Sequence, residues 1–581
     1  MRARALARRA FELTCHRRAV ASIAGARVPV DASAPSPSAA ESSQTPSSRR
    51  PRVYIETYGC QMNASDSDVV RALLLDRGFD LADDLADAQA ALVNTCAIRD
   101  GAESRIWTRL RQLKAVKRDP SGNLRAVGVL GCMAERLKGK LLETDGLADV
   151  VCGPDAYRDL PRLLGRFVGD DRAERATDVA DDDRMNVQLS LDETYADVTP
   201  VRRDKGSVSA YVSVMRGCDN MCAFCVVPFT RGRERSRPMA SVVDEARRLI
   251  AEGVREITLL GQNVNSYADK SEMTTGDDAT KTRTEKTKNA GAAAEHHDAF
   301  AAYAKGFTSV YKPKREGANT FADLLAAVAA IDVECRVRFT SPHPKDFPDD
   351  VLRVVAETPN VCKQLHVPAQ SGSSTTLERM RRGYTREAYD DLIAHIRTMI
   401  PDVALSSDFI SGFCGETEDE HAATLDLLER VEYEQAFMFH YSRRDKTHAA
   451  RHFEDDVPEE TKKRRLAEVI DTFRRRAAVV NARERGRTHL VLIEGPSSKN
   501  PETRMRGRSD TGKRVIVRGT SVKKCAFGTS EEEVAMTPGM YVAARVTETG
   551  ASSLVADPVG ATTARVFYER HGGKAWFVDG E

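Results

Sequence analysis

Three short apolar runs, each closed by a cysteine, constrain the first part of this chain more than any other feature. They run from Val53 to Cys60, Ala90 to Cys96 and Ala126 to Cys132, and the cysteines lie 36 residues apart each time. That interval is about one strand–helix–strand repeat. After Cys60, residues Val69, Val70, Leu73 and Leu74 fall on one helical face. Repeated strand–helix units predict a parallel, doubly wound sheet. The C-terminal ends of its strands open onto one edge, where cysteines distant in sequence would meet. Buried cysteines are also common at such places, so spacing alone leaves a ligand role and a packing role open.

Further along, residues 168–205 are acidic and polar and read as a linker. Strand–helix alternation resumes from 206 to 486. Strands are expected at Ala210–Met215, Glu256–Leu260, Arg336–Thr340, Val361–Val367, Ala404–Ile410 and Gln435–His440, with helices between them such as Ser241–Glu252 and Ser373–Arg382. Six such units predict a partial TIM-type (β/α)6 barrel. Residues 269–318 are rich in Thr, Lys, Asp and Ala without periodicity, and read as a mobile surface insertion. From 487 to 560, short strands split by Gly, Pro and Asn predict a small antiparallel β-barrel, with 561–581 as a C-terminal tail. The fold class is therefore α/β: a doubly wound sheet domain (51–167), a partial barrel and a small all-β module.

At 581 residues the chain is long enough for three such domains. Its formal net charge of +1 excludes a global pull toward nucleic acid, so any RNA contact must come from a local patch. No apolar run is long enough to cross a bilayer, and no membrane partner is expected. Residues 1–50 open with seven arginines and one acid in the first thirty, followed by Ala, Ser and Pro. This is the signature of an organellar transit peptide, read as mitochondrial with plastid as the alternative.

A large chain without a secretory apolar region uses clustered cysteines for metal or catalysis more often than for disulfides. Cys218, Cys222 and Cys225 form a C-x3-C-x2-C array directly after the first expected barrel strand. Zinc sites want four ligands, and no fourth cysteine or histidine lies nearby. Three thiolates suit a 4Fe-4S cluster with one iron left open.

The C-x3-C-x2-C spacing resembles that of radical S-adenosylmethionine enzymes. The wider stretch Gly217–Pro238 is similar to the methylthiotransferases, and the resemblance extends over about residues 52–557. Tyr58-Gly59-Cys60-Gln61-Met62-Asn63 and Asn94-Thr95-Cys96-Ala97-Ile98-Arg99 resemble the MiaB-type branch, and Tyr441–Ala449 resembles its eukaryotic organellar members. The resemblance implies two 4Fe-4S clusters, the second held by Cys60, Cys96 and Cys132. It also implies two molecules of S-adenosyl-L-methionine and methylthiolation of carbon two of an isopentenylated adenosine in the anticodon stem-loop of tRNA. An electron donor and a sulfur donor are implied as further partners. Related branches act on threonylcarbamoyladenosine or on a ribosomal-protein aspartate, and a regulatory protein that merely retains the clusters is a third alternative.

The same resemblance points Ile410–Thr417, with Gly412, Gly415 and Glu416, toward the S-adenosylmethionine pocket; here Cys414 replaces the family's usual proline. Gln262, Asn263, Gln370, Ser371 and Gly372 also follow strands and read as lining that cavity. Phe224 lies between two ligands and reads as shielding the cluster or touching adenine. His343 and His366 fall at strand ends. Arg231, Arg233, Arg235 and Arg237 alternate, and either grip phosphate or pair with acids. Between Lys499 and Lys524 nine Lys/Arg stand against two acids. Lys499, Arg504, Arg506, Arg508, Lys513, Arg514 and Arg518 are the candidate phosphate contacts. This segment looks like a TRAM domain. No catalytic residue is assigned beyond the six cysteines.

Overall fold

The computed structural model describes residues 50–97, 100–168, 183–271, 304–309, 317–529, 531–571 and 577–579. The transit-peptide segment up to residue 49, residues 169–182 of the expected linker, and residues 272–303 and 310–316 of the expected insertion lie outside these.

The first domain is built from β1 (Arg52–Thr57), α1 (Gln61–Asp76), β2 (Asp80–Ala82), β3 (Ala90–Thr95), α2 (Asp100–Lys117), β4 (Ala126–Gly131), α3 (Cys132–Leu137), β5 (Val150–Cys152), α4 (Leu160–Val168) and β6 (Met185–Asn186). Its sheet is fully parallel, in the order β2-β1-β3-β4-β5-β6. Every residue of β3 and β4 is buried, which is why these strands read as continuous apolar runs. Two apolar clusters flank the sheet, one with Val53, Val70 and Leu164, the other with Val93, Ile106 and Leu110. Part of the expected linker belongs to this domain. Strand β6 pairs with β5, and buried Tyr195 stacks on Tyr157 at 5.9 Å.

The second domain runs β7 (Ser209–Ser213), α5 (Met239–Ala251), β8 (Glu256–Leu260), α6 (Phe321–Ala329), β9 (Arg336–Thr340), α7 (Asp349–Glu357), β10 (Gln364–His366), α8 (Arg386–Met399), β11 (Ala404–Ser411), α9 (Glu418–Val431), β12 (Gln435–His440) and α10 (Glu459–Ala482). Strands β7–β9 form one parallel sheet and β10–β12 another. The Val337 amide donates to the Asn360 carbonyl at 2.9 Å and the Cys362 amide to the Val337 carbonyl at 3.0 Å, joining the two. Period-two alternation sends Val212, Ile257, Val337, Leu365 and Leu405 into the core shared with the helices. Their neighbours Tyr211, Arg338, His366, Asp408 and Phe437 face the other side. The expected insertion is anchored where it is described: the Ala304 amide donates to the Lys345 carbonyl and the Thr308 amide to the Gly383 carbonyl, both at 2.8 Å.

The third domain contains β13 (Arg487–Pro496), β14 (Arg504–Ser509), β15 (Arg514–Arg518), β16 (Tyr541–Thr549), β17 (Ser553–Thr562), α11 (Ala564–Arg570) and β18 (Phe577–Asp579). The pairing β13-β14-β15-β17-β16 returns to β13, closing a small barrel. It departs from the antiparallel expectation at one seam, because β15 and β17 run parallel. The connection through 519–540, which carries its own paired strands Ser521–Lys523 and Glu533–Ala535, leads into β16, and the antiparallel β16–β17 hairpin then turns the chain so that β17 runs with β15. The expected tail also folds back: β18 pairs with β13, and Phe567 and Tyr568 of α11 are buried.

Candidate functional site

The first three cysteines meet at the edge that the parallel sheet opens. Cys60 caps α1, Cys96 follows β3 directly and Cys132 starts α3. Gly59 allows the approach. Its φ is +116°, and a Cβ there would lie 2.6 Å from the Cys96 Cβ. Asn63 and Asn94 brace the loops: Asn63 Nδ2 donates to the Tyr58 carbonyl at 3.0 Å, and Asn94 Nδ2 to the Asn63 carbonyl at 2.9 Å.

Cys218, Cys222 and Cys225 occupy the loop after β7, where the short strand Met215–Arg216 pairs with Arg235–Ser236. Gly217 has φ +76°, and a Cβ there would fall 1.9 Å from the Arg233 carbonyl oxygen, so only glycine admits this crossing. The loop is seated by Ala223, whose amide donates to the Met380 carbonyl and whose carbonyl accepts from the Ala449 amide, both at 2.8 Å. Phe224 packs beside an apolar group of Ala223, Met380, Phe413, Cys414 and Tyr441. The two triads lie side by side: Val226, next to Cys225, packs on Cys132 and on Ala97, next to Cys96.

One arginine serves each triad. Arg231 Nε donates to Cys132 Sγ at 3.1 Å, and Arg382 NH1 donates to Cys222 Sγ at 3.1 Å. Arg231 is also paired with buried Asp66 at 2.7 Å, and Asp66 pairs with Arg216 at 2.8 Å. Burial pushes the Asp66 carboxyl up, but the two guanidiniums outweigh it and hold it below its ordinary value. The arginine series does not form one strand face. Arg231 follows a short helix, Val227–Thr230, and Arg233, Arg235 and Arg237 pair with Asp219, Asp155 and Glu245 at 2.6, 2.8 and 2.6 Å. Of the two readings the sequence left open, acid pairing is the one realised.

The donor chemistry fits iron–sulfur clusters. Burial pushes the Cys132 thiol up, against the pull of Arg231, and pushes the Cys218 thiol well up, with Glu234, Cys225 and Cys222 adding to the effect. Buried, crowded thiols release their protons against a strong cation, which cluster iron supplies. Among the described residues no three metal-ligating side chains close around a single ion, and a cluster attaches each thiolate to a different iron.

Next to Cys222 a cavity of about 570 Å³ is lined by Asp219, Met221, His343, Lys345, Arg382 and Tyr384, among others. His343, at a strand end, is one of these lining residues, and burial together with Arg382 and Lys345 holds its imidazole well below the ordinary value. Phe224, Gln262, Asn263, Gln370, Ser371, Gly372, Gly412, Gly415 and Glu416 are not among the lining residues. Asn263 Nδ2 bridges Glu234 and Asp346 at 3.1 Å each, while its Oδ1 and Gln262 Oε1 are buried without a hydrogen-bond partner. Ser371 Oγ meets Thr424 Oγ1 at 3.3 Å, and Gly372 abuts the Ala423 carbonyl of α9. Gln370 sits at φ +71° beside β11. Glu416 turns inward: its Oε2 accepts from the Gly412 amide at 2.6 Å and from Arg465 at 2.9 Å. The Gly415 amide donates to Asp456 Oδ1 at 2.7 Å. His366 bonds Ser406 Oγ at 3.0 Å.

In the third domain Arg504, Arg506 and Arg508 of β14 and Arg514 and Arg518 of β15 stand on one outer face, their neighbours Met505, Val515 and Val517 being buried. Lys499 is exposed nearby in sequence. Lys513 is a correction: it is buried, with its Nζ 2.8 Å from Glu484 Oε1, and is not available to phosphate.

Sequence reasoning passed over Asp66, Arg216 and Arg382. The available signal was Asp66 itself, an acid among the buried positions of α1.

Residues 212–428 match the Radical SAM superfamily, and residues 52–153 match a family described as Uncharacterized protein family UPF0004. The central domain and its cysteine loop are those of a radical S-adenosylmethionine enzyme. The chain is 50% identical over 499 residues to the mitochondrial tRNA methylthiotransferase CDK5RAP1 of Rattus norvegicus, covering 86% of this chain and 78% of that one. It is 48% identical over 538 residues to the CDK5RAP1-like protein of Oryza sativa subsp. japonica, with 91% and 84% covered. It is 44% identical over 468 residues to the tRNA-2-methylthio-N(6)-dimethylallyladenosine synthase of Chloroherpeton thalassium, with 81% and 90% covered. The chain belongs to the MiaB-type methylthiotransferases, enzymes that use 4Fe-4S clusters and S-adenosylmethionine.

Proposed function

We propose that this chain is a tRNA-2-methylthio-N6-isopentenyladenosine synthase, acting on the adenosine next to the anticodon of mitochondrial tRNA. The observation that carries the reading is the packing of Val226 on Cys132 and Ala97, which puts the two thiol triads at one site. The dimethylallyladenosine (that is, isopentenyladenosine) named in the bacterial relatives, and the mitochondrion named in the rat one, support this substrate and place over the threonylcarbamoyl, ribosomal and plastid alternatives.

In this reading the domains are an N-terminal methylthiotransferase domain (51–167), a (β/α)6 radical S-adenosylmethionine barrel (206–486) and a TRAM domain (487–560). Cys60, Cys96 and Cys132 hold the auxiliary cluster, and Cys218, Cys222 and Cys225 the radical-generating one. When bound, these groups supply a methylated sulfur and a 5′-deoxyadenosyl radical, the species able to take hydrogen from an unreactive ring carbon. The chain's own part is positional. Arg231 and Arg382 hold one ligand sulfur of each triad. The orphaned Gln262 Oε1 and Asn263 Oδ1 offer acceptors to the polar groups of S-adenosylmethionine. The outer arginines of β14 and β15 hold the tRNA backbone.

The test is mass spectrometry of nucleosides from mitochondrial tRNA with and without the protein. Loss of 2-methylthio-isopentenyladenosine on removal is expected, and an unchanged level overturns the proposal. Anaerobic reconstitution should load about eight irons per chain, falling to about four when either triad is replaced by alanine.

A further inference from the structure

The two arginines that touch ligand sulfurs are not electrically equivalent. Arg231 donates to Cys132 but is neutralised by Asp66, which it meets at 2.7 Å; the second arginine on Asp66, Arg216, has Glu193 at 3.8 Å. Arg382 is only 5% exposed. Beyond Cys222 it meets Tyr384 Oη at 3.0 Å through Nε and the Pro368 carbonyl at 3.1 Å through NH2, with its guanidinium 5.4 Å from the Tyr384 ring centre. Among the described residues it has no carboxylate partner. Among the described residues, Glu234 lies by Cys218, where its Oε1 accepts from the Asp219 amide and Asn263; Asp219 is itself paired with Arg233 at 2.6 Å, and Glu378 lines the cavity beside Cys222 without an ion pair to Arg382.

We propose that Arg382 is a positioning residue that sets the reduction potential of the cluster held by Cys218, Cys222 and Cys225, through an unneutralised cationic hydrogen bond to the Cys222 sulfur. Net charge and hydrogen bonds to sulfur are what tune such clusters. One-electron reduction of the 2+ cluster to the 1+ state adds one negative charge at that site. A fixed cation at hydrogen-bond distance, in a buried setting, favours the reduced form. The auxiliary triad has its arginine offset by Asp66 and gains no such bias. An electron from a low-potential donor is thereby directed to the cluster that must spend it on carbon–sulfur cleavage, rather than to the one that carries sulfur.

This inference rests on the assignment of the cysteines as cluster ligands, and the two are separable: iron content tests the ligands, and the midpoint potential tests Arg382. The experiment uses the full chain with Cys60, Cys96 and Cys132 replaced by alanine, anaerobically reconstituted so that one cluster remains. It is titrated with dithionite under EPR detection. In that background Arg382→Met should keep about four irons and lower the reduction equilibrium constant about tenfold, a shift of about 59 mV for one electron. Arg382→Lys, which keeps the charge but not the planar fork, should shift the midpoint less. In the complementary background lacking the radical triad, Asp66→Asn should raise the midpoint of the auxiliary cluster. An iron-replete Arg382→Met variant with an unchanged midpoint overturns the proposal. So does failure of both Arg382 variants to retain iron, which would reduce the arginine to a structural support.

Discussion

Glu484 sits at the end of α10 between two bases, with His489 Nε2 2.7 Å from one carboxylate oxygen and Lys513 Nζ 2.8 Å from the other. Burial pushes its carboxyl up, but the His489 and Lys513 contacts outweigh burial and bring it to about 2. An unfolded glutamate titrates near about 4.3. The folded value is the lower one, so the stabilisation is complete above the unfolded value and is lost as pH falls toward the folded one. The stability difference between wild type and Glu484→Gln, measured by urea unfolding of the C-terminal barrel, should therefore shrink as pH falls between about pH 4 and 2. A difference that grew with acidification would contradict the assignment. Lys513→Met should destabilise the barrel by about 1–3 kcal/mol, since it removes the hydrogen-bonded cation from one oxygen of a buried carboxylate and leaves it only Arg487 at 3.7 Å, yet leave the salt dependence of tRNA binding unchanged. Its partner is 29 residues away, and a count of local charge has no means of seeing that. The strand-end placement of Cys60, Cys96 and Cys132 was legible for the opposite reason: the apolar runs and the spacing that fix it are local in sequence.

At the scale of elements, the β14–β15 hairpin carries its positive charge by register. Arg504 lies opposite Arg518, and Arg508 opposite Arg514. Like charges across a strand pair are unfavourable. Arg508 is offset by Glu494 at 2.9 Å, and Arg518 by Glu548 and by Asp557 at 2.8 Å. Arg506 and Arg514 are exposed and, among the described residues, have no acid partner. These two should supply the counterion-releasing contacts. Replacing both with glutamine should flatten the slope of log K against log salt by about 1.5, at about 0.7–0.9 per phosphate. Fluorescence anisotropy across a KCl series reads that slope directly, and an unaltered slope would place tRNA on another face. The same period-two logic made the six strands of the second domain legible, because their apolar faces alternate toward a single core. It misleads at Arg231–Arg237, where alternation suggests a strand and the structure has a short helix end followed by a two-residue strand. What shapes that segment is Asp66, Asp155, Asp219 and Glu245, and two of these four, Asp66 and Asp155, lie outside any local window.

For the whole molecule, the three domains could be read from the sequence, but the faces they turn toward one another could not. Those contacts depend on single side chains meeting distant backbone. Arg336, fully buried in β9, donates to the Leu490 carbonyl at 2.5 Å and the Arg508 carbonyl at 2.8 Å. Arg338, two residues on, donates to the Ser509 and Asp510 carbonyls at 2.7 Å each and pairs with buried Glu256 at 2.9 Å. Asp510 answers by accepting from the Lys363 amide at 2.8 Å. The barrel that carries the arginine face is thus fixed to the domain that carries Cys218 through the carbonyls at one end of its basic hairpin. Arg338→Met leaves Glu256 without its closest cation and the Asp510 carbonyl without its side-chain donor, while the Ser509 carbonyl keeps only the Gly512 amide at 3.1 Å. Breaking a buried pair in this way costs about 3–5 kcal/mol, and the loss should concentrate at this interface. Amide exchange at residues 509–513 should accelerate while exchange in β16 stays protected. The tRNA should still bind, because the outer arginines are untouched, but methylthiolation should fall much further than affinity, since the bound RNA is no longer held in register with the two thiol triads. Equal losses of affinity and product would mean that the barrel binds tRNA without placing it.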